Sequence, residues 1–399
     1  MGGRVDSSAS RGDEAAVAEG LLQFGVARLG EHEPVVEVDH RNPLSTGEGF
    51  GFGSSVGFGF EIDVDVVDAE PGEQLLRAPA VLAPHGAVDD GRGAVHRGDV
   101  TEGRPPARYG SCVSRDPTIR DPEVIVLGIG QDGGRPQIGC RAECCSDASL
   151  PRVLPACLGV VGSDGRRWLI DATPAIGEQL RALDDLVPRP ADDAIIDGIL
   201  LTHGHLGHYT GLAQLGREAL AASSVPVWAQ PRLRSMLERD VPWSLLVDHG
   251  HIDLRSDPID LGGSLLVEAL PVPHRGEVSE TVAYRVTGPS RSVLWLPDID
   301  SWDAWDRDIV EEVAAVDVAF VDATFFDDGE LDRDMSVIPH PRVVDTVRRL
   351  VDRAPELASR VRLVHLNHTN PALREGSAAR AFVEAAGVSV AFPGERVSL

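Results

Sequence analysis

The sequence predicts a mixed α/β protein in which two β-sheets are covered by helices, spanning residues 119–399. Two observations support this prediction. Short apolar runs typical of buried strands recur along this region, and amphipathic helical patterns lie between several of them. The order is not a regular alternation of strand and helix, which argues against a TIM barrel and a dinucleotide-binding fold.

The predicted strands are apolar runs of a length that crosses a sheet once. The first, Glu123–Gly128, ends in a glycine-rich turn, and the second, residues 167–171, ends in an acid. A further apolar stretch, residues 194–201, precedes a histidine-rich run. The remaining predicted strands are Val225–Trp228, 265–270, 281–286, Ser292–Leu296, 318–321, 362–366 and 388–392.

Helices are predicted where apolar residues recur every three or four positions. The predicted helices are residues 174–183, 210–222, 232–238, 343–351 and 378–386.

The glycines of the Gly128-Ile129-Gly130 turn superficially resemble a dinucleotide-binding loop. The third glycine at the required spacing and the following helix are missing, so this signal for dinucleotide binding is weak.

Residues 1–118 are predicted to be a low-complexity extension outside the folded domain. They include a glycine- and phenylalanine-rich run at 47–60 and little sustained periodicity, a composition that buries little core. Three interpretations are considered. The first two are a disordered extension and in-frame translation of upstream GC-rich DNA with a true start near Val113. The third, a separate binding module, is the least favoured.

The charge balance limits the partners. All 37 basic residues are Arg, which excludes lysine-dependent phosphate loops and Schiff-base catalysis by lysine. With 63 acids the net charge is −26, which argues against binding duplex nucleic acid or an anionic membrane. No apolar stretch has the length of a membrane span or a signal sequence. We therefore expect a cytoplasmic protein with a small-molecule substrate, and a homodimer is left open.

The chain has five cysteines, an odd number, which indicates a reducing compartment more than a disulfide framework. Three of them, Cys140, Cys144 and Cys145, lie within six residues. Two interpretations are kept for this cluster: a structural metal site, and ordinary free thiols.

The strongest chemical signal is the run of three histidines within six residues, His203, His205 and His208. The run follows an apolar strand and precedes a helical pattern. Neutral imidazole is a common ligand for zinc and iron, and a loop at a strand end can direct several ligands to one point. We therefore predict a metal centre here.

Three further candidate ligands each follow a predicted strand: His274, Asp298 and His365. Taken singly, a histidine or an acid at a strand end is more often a turn former or a core residue. Their joint occurrence after the histidine run supports their assignment to one centre.

From about Glu123 to Leu399 the sequence resembles the metallo-β-lactamase-fold hydrolases. Their hallmark is His-x-His-x-Asp-His after a strand, followed by a lone His, a strand-end Asp and a late His. Within them it is most similar to the coenzyme PQQ synthesis protein B group. The matching segments are 128–139, 171–174, 210–212, 321–324, 365–371 and 388–399.

The resemblance implies an αββα sandwich with metals at one edge between the sheets. It implies that one metal is held by His203, His205 and His274 and a second by His208, Asp298 and His365. Asp171 would orient the ligand loop. The candidates for proton transfer are Asp322, His340 and His368, and the candidates for substrate contact are Tyr209 and Asn367.

The chain departs from the hallmark at Gly207, where the family has an Asp that binds the second metal. One or two zinc ions are expected, and iron or manganese is an alternative. The cysteine cluster also departs from the relatives' pattern, because Ala142 replaces the middle thiol.

The expected chemistry is hydrolysis of a small ester or phosphodiester by metal-activated water. The alternatives are an iron-dependent oxidase or hydroxylase in PQQ-type cofactor synthesis, and a metal-binding protein without catalytic activity.

Overall fold

The computed structural model describes residues 121–399. The prediction of a low-complexity extension over residues 1–118 lies outside the described residues. The domain boundary near residue 119 therefore remains a prediction.

Thirteen strands and eight α-helices make up the described region, with three short 3₁₀ segments. The strands are β1 (Glu123–Gly128), β2 (Cys157–Val161), β3 (Arg167–Ile170), β4 (Gly198–Leu200), β5 (Val225–Trp228), β6 (Ile252–Arg255), β7 (Leu266–Val272), β8 (Thr281–Thr287), β9 (Ser292–Leu296), β10 (Val318–Asp322), β11 (Val361–Val364), β12 (Ser389–Val390) and β13 (Arg396–Ser398). The helices are α1 (Glu143–Ser146), α2 (Ile176–Leu186), α3 (Leu206–Tyr209), α4 (Pro231–Arg239), α5 (Trp243–Asp248), α6 (Ile309–Ala314), α7 (Val343–Arg353) and α8 (Ala378–Ala385). The 3₁₀ segments are Thr210–Leu215, Pro355–Arg360 and Pro371–Leu373.

The strands form two mixed sheets. The first has the order β13-β1-β2-β3-β4-β5-β6 and the second the order β12-β11-β10-β9-β8-β7. In the first sheet β3 to β6 are parallel, and β1 runs in the same direction as β3 because β2 is antiparallel to both. In the second sheet β9 to β12 are parallel, and β7 shares their direction through antiparallel β8. The carboxyl ends of these parallel strands therefore lie at one edge of each sheet.

Alternation along the strands separates the two faces of the first sheet. Val124 and Val126 belong to the apolar cluster that includes the second sheet, whereas Ile125 and Leu127 belong to the cluster that includes α2 and α4. Side chains at successive strand positions point to opposite faces, so one strand contributes to both layers. Helices α6, α7 and α8 contribute apolar residues to the cluster of the second sheet. The prediction of two sheets covered by helices is confirmed.

Two local predictions differ from the structure. The helix predicted over 210–222 is a 3₁₀ segment that begins at Thr210 and ends at Leu215. The backbone packs tightly there and requires Gly211, because a Cβ at this position would lie 2.1 Å from the backbone oxygen of Thr173. The elements that were not predicted are strands β2, β6 and β13 and helices α1, α3, α5 and α6. Within residues 121–399 we find no helix with the length and apolar character needed to cross a membrane.

Candidate metal centre

The candidate ligands lie at the carboxyl ends of parallel strands of both sheets. The loop after β4 carries the histidine run, and His274 follows β7. Asp298 follows β9, and His365 directly follows β11. Because these strand ends meet at the same edge, residues far apart in sequence come together.

His203, His205 and His274 form the first half of the centre. Nε2 of His203 lies 3.0 Å from Nδ1 of His205, and Nε2 of His274 lies 3.1 Å from the same atom. His203 and His274 are buried, and His205 is half-buried. The loop between His203 and His205 is fixed by Ser279, whose hydroxyl accepts a hydrogen bond from the Gly204 N–H.

His208 and His365 form the second half, with the carboxylate of Asp298 between the halves. Oδ2 of Asp298 lies 3.1 Å from Nε2 of His208 and 3.3 Å from Nε2 of His365. Its Oδ1 lies 3.5 Å from Nε2 of His274. Asp298 is therefore within reach of both halves.

The outer ring nitrogens on both sides of the centre are held by hydrogen-bond acceptors. Nδ1 of His208 donates to Asp171, and Nδ1 of His274 donates to Asp300. The hydroxyl of Thr202 donates to Asp171 and lies 2.9 Å from Nδ1 of His203, from which it can accept. In the neutral rings of His203 and His274 the inner Nε2 atom is then left with a lone pair, as is typical of histidines that bind metals.

A second threonine does the same for His365. Oγ1 of Thr324 donates to Asp322 and lies 3.0 Å from Nδ1 of His365. Two of the residues that hold the centre also have left-handed backbones, with φ of 73° at Asp171 and 62° at His365. Such conformations are unfavourable for residues other than glycine and concentrate at functional sites.

The two halves differ in charge. Burial lowers the pKa of His203 and His274, and it lowers the pKa of His205 to about 4, so these rings are neutral at neutral pH. Burial also disfavours the cation of His208, but the charges of Asp171 and Asp298 outweigh it and raise its pKa well above the ordinary value. Without a metal, His208 is therefore protonated.

The distances fit a metal-binding arrangement. A tetrahedral ion with bonds of about 2.0–2.2 Å separates its ligand atoms by about 3.3–3.6 Å. The separations of 3.1 and 3.3 Å around Asp298 Oδ2 are close to this value. That oxygen is buried, and its neighbours among the described residues include the ring nitrogens of His208 and His365. A cation bound between these groups would stabilise the buried carboxylate.

Sequence analysis did not single out Asp132, which lies beside the second half. Its Oδ1 is 3.3 Å from Nε2 of His208 and 3.4 Å from Nε2 of His365. Asp132 lies on the loop after β1, whose carboxyl end is at the same edge as the other ligand-bearing ends. The signal that could have identified it is therefore an acid shortly after the first predicted strand.

His340 and Asp322 lie on the second-sheet side of the centre. Nδ1 of His340 donates to Oδ2 of Asp322 over 2.7 Å, and the ring of His340 lies 5.3 Å from that of His274. Asp322 is fully buried, and it also accepts hydrogen bonds from the N–H groups of Ile299 and Thr324. Asp322 thus fixes the orientation of His340, and both of its carboxylate oxygens already accept hydrogen bonds.

The structure gives three of the sequence-predicted site residues contacts other than those expected. Tyr209, expected to contact substrate, is buried in the core with its ring 5.0 Å from that of Trp243. Asn367, also expected to contact substrate, donates its side-chain N–H to Thr369 and is buried. His368, expected to transfer protons, lies instead against the cysteines.

The cysteine cluster and His368 form a second potential metal site. The Sγ atoms of Cys140 and Cys144 are 3.8 Å apart, and those of Cys144 and Cys145 are 3.9 Å apart. Nδ1 of His368 lies 3.5 Å from Cys144 Sγ and 3.3 Å from Cys145 Sγ. Zinc–sulfur bonds of about 2.3 Å in a tetrahedral site give sulfur separations of about 3.8 Å. The four groups fit a zinc site, although Cys144 and Cys145 are adjacent in sequence.

Comparison with known proteins agrees with this architecture. The family model described as beta-lactamase superfamily domain matches residues 166–389. Coenzyme PQQ synthesis protein B of Pseudomonas aeruginosa is 29% identical over 318 residues, covering 69% of this chain and 99% of the relative. The protein of the same name from Methylobacterium nodulans is 30% identical over 316 residues, covering 69% of this chain and 100% of the relative.

A solved structure has the same fold. The crystal structure of Zn(2+)-bound PqqB from Methylobacterium extorquens matches with a TM-score of 0.58 and 21% identity. The match covers 69% of this chain and 100% of that protein.

Proposed function

Because this chain belongs to the beta-lactamase superfamily and is similar to coenzyme PQQ synthesis protein B, we propose that it is a metal-dependent hydrolase. The substrate class we propose is a small ester or phosphodiester. The net charge of −26 disfavours a duplex nucleic acid as the substrate.

One observation carries this proposal. Imidazole nitrogens from both halves of the centre surround the buried carboxylate of Asp298. Several imidazoles that converge on one buried carboxylate are typical of a metal site. His203, His205 and His274 would hold one ion, His208 and His365 a second, and Asp298 would reach both.

A bound divalent ion supplies a hydroxide at neutral pH, because it lowers the pKa of bound water from about 15.7 to about 7. Zinc is the proposed ion, supported by the zinc-bound PqqB of similar fold. Asp171 and Asp300 would serve as positioning residues, since they hold the outer nitrogens of His208 and His274. Residues in these positions fix both the tautomer and the orientation of a metal-binding ring.

His340 is the proposed proton donor to the leaving group. Burial disfavours its cation, but the charge and hydrogen bond of Asp322 outweigh this and raise the pKa of His340. A raised pKa favours the protonated ring, and a protonated histidine beside a metal centre can act as a general acid. Asp322 would act through His340 as a positioning residue and not as a donor itself.

The test measures metal content and hydrolysis on the same preparations. Protein purified without added metal is analysed by elemental mass spectrometry and assayed with bis-p-nitrophenyl phosphate and p-nitrophenyl acetate. We expect zinc in the wild type and loss of zinc and turnover in His203→Ala, with His249→Ala, an exposed histidine outside the centre, unchanged. Wild-type protein that binds no metal at the centre after reconstitution would contradict the proposal.

A second function is favoured by the similarity to coenzyme PQQ synthesis protein B at 29–30% identity over 69% of the chain. In this alternative, the same histidines hold iron and the enzyme oxidises a small precursor of a quinone cofactor. Predominant iron in the purified protein, together with oxygen-dependent turnover, would favour this alternative over hydrolysis.

The cysteine cluster is proposed to hold a structural zinc together with His368. Burial and the neighbouring sulfurs raise the pKa of Cys144 to about 12, a penalty that a bound cation removes. Burial lowers the pKa of His368, which keeps its ring neutral as a ligand must be. Cys145→Ser should therefore lose one zinc equivalent and lower the melting temperature, with Ser146→Ala, an exposed neighbour that is not a ligand, as the control.

A further inference from the structure

The histidine run lacks one group that its family uses. The hallmark has an Asp directly before the last histidine, and this chain has Gly207 before His208. In the family this Asp binds the second ion. The inference below rests on the proposed metal centre and concerns how its second half obtains a carboxylate.

Gly207 is not required by the backbone conformation. It lies in helix α3, and its φ is not among the positive values of the described region. A glycine inside a helix costs about 1 kcal/mol relative to alanine, so its presence there needs another reason.

Space is that reason. A Cβ on Gly207 would lie 2.3 Å from both Cγ and Oδ1 of Asp132 and 2.6 Å from its Cβ. Contacts this short would force the Asp132 side chain to move, and Gly207 is itself buried. The carboxyl group of Asp132 therefore fills the volume that a side chain at position 207 would occupy.

Asp132 is also aimed at the second half of the centre. Its Oδ1 lies 3.3 Å from Nε2 of His208 and 3.4 Å from Nε2 of His365. Ligand atoms around a tetrahedral ion with bonds of about 2.0–2.2 Å have this spacing, about 3.3–3.6 Å. The side chain is 42% exposed, unlike the buried Asp298, so Asp132 approaches the centre from the solvent side.

The loop that carries Asp132 is held against the strand end that carries His365. The N–H of Gln131 donates to the carbonyl of Leu366, and the N–H of Leu366 donates to Ile129. The N–H of Gly134 closes a turn on the carbonyl of Gln131. The position of Asp132 is thus set by main-chain hydrogen bonds and not by its own side-chain contacts alone.

We propose that Asp132 supplies the second-ion carboxylate that the histidine run has lost, and that Gly207 is the residue that makes room for it. In this chain the carboxylate would come from the loop after β1, whereas the hallmark places it at the position of Gly207 in α3. The two positions are therefore a matched pair: either Asp132 with Gly207, or an acid at 207 with a small residue at 132.

The test uses the full chain with Asp132→Ala, Gly207→Asp and the double variant Asp132→Ala/Gly207→Asp. Zinc is titrated into metal-free protein against a chelator, and cobalt spectra separate the nitrogen–oxygen centre from the thiolate site. We expect Asp132→Ala to weaken the second ion about 100-fold, because the ion would lose one of its four protein ligands. The first ion should keep its affinity.

The double variant should recover second-ion affinity to within about tenfold of wild type, since it restores one carboxylate in the same volume. Gly207→Asp alone should lose the second ion because two side chains compete for that volume. Asp185→Ala, an exposed acid outside the centre, is the matched control.

The outcomes separate this inference from the proposed function. A wild-type chain that binds no ion at the centre would overturn the metal centre itself. A wild type with two ions at the centre and an Asp132→Ala variant whose second-ion affinity is unchanged would overturn only the role of Asp132. Because Asp132 is partly exposed, Asp132→Ala is expected to fold, and it decides the question even if the double variant does not.

Discussion

The two halves of the centre are built in different ways. The first half takes His203 and His205 from one tripeptide and adds His274, and its three rings are neutral. The second half draws His208, His365 and Asp132 from three distant segments, and His208 carries a proton when no metal is present. The comparison teaches that a local motif can specify half a site, whereas the other half depends on how strand ends from two sheets meet.

The largest expected effect removes a ligand from the first half. His205→Ala should weaken the first ion about 100-fold or more, since each ligand contributes about a quarter of the 10–16 kcal/mol of a zinc site. The second ion should change far less, because it has its own ligands. Zinc titration with cobalt spectra measures both ions. Loss of both ions together would mean that the two halves are one unit.

A smaller effect is expected at a residue that only orients a ligand. Asp300 accepts the Nδ1–H of His274 and the N–H of Arg275, and it does not contact the second half. Asp300→Ala should weaken the first ion about 10–100-fold, the range typical of residues that orient metal ligands. The control is Asp303→Ala, an exposed acid paired with Arg349. Equal weakening of both ions would remove the distinction between the halves.

The halves should also differ in their response to pH. A metal must displace the proton of His208, whose pKa is raised, so second-ion affinity should rise about tenfold per pH unit below that pKa. The pKa of His205 is about 4 and those of His203 and His274 are lowered, so the first ion displaces no proton near neutrality. Its affinity should therefore change much less with pH near neutrality. Titrations at several pH values measure the two slopes, and parallel slopes would contradict the charge difference.

The smallest effect is expected at Tyr209, next to His208 in sequence. Tyr209→Phe keeps the packing against Trp243, so metal content, turnover and melting temperature should stay close to wild type, within about 0.5 kcal/mol of stability. Tyr209→Ala, which empties the core position, should destabilise the protein by about 3–5 kcal/mol without a specific effect on metal affinity. A selective loss of turnover in Tyr209→Phe would restore its role in substrate contact.

The sequence was sufficient where the signal is local. Buried strands such as β1, β5 and β9 were predicted with their observed bounds, because runs of β-branched and apolar residues mark them. The residues that follow strands were predicted as ligands of one centre, and the structure brings their side chains close together because parallel strands end at one edge. The helix over 210–222 was overestimated because the close approach of Gly211 to Thr173 is not visible in a sequence pattern.

Adjacency in sequence was misleading where side chains diverge. Tyr209 follows His208 in a helix, but successive helical side chains point about 100° apart, so Tyr209 enters the core. His368 lies three residues after His365, but it belongs to the turn that the Asn370 N–H closes on the carbonyl of Asn367, and its ring contacts the cysteines.

The sequence by itself determined the chemistry of this protein: imidazoles and carboxylates at the ends of apolar strands, within a superfamily recognisable from their order. Only the tertiary structure decided that Asp132 fills the space above Gly207 and that His368 joins the cysteines. The physical reason is that ligand type is a property of single residues, whereas ligand distance and free volume depend on how the two sheets bring remote strand ends together.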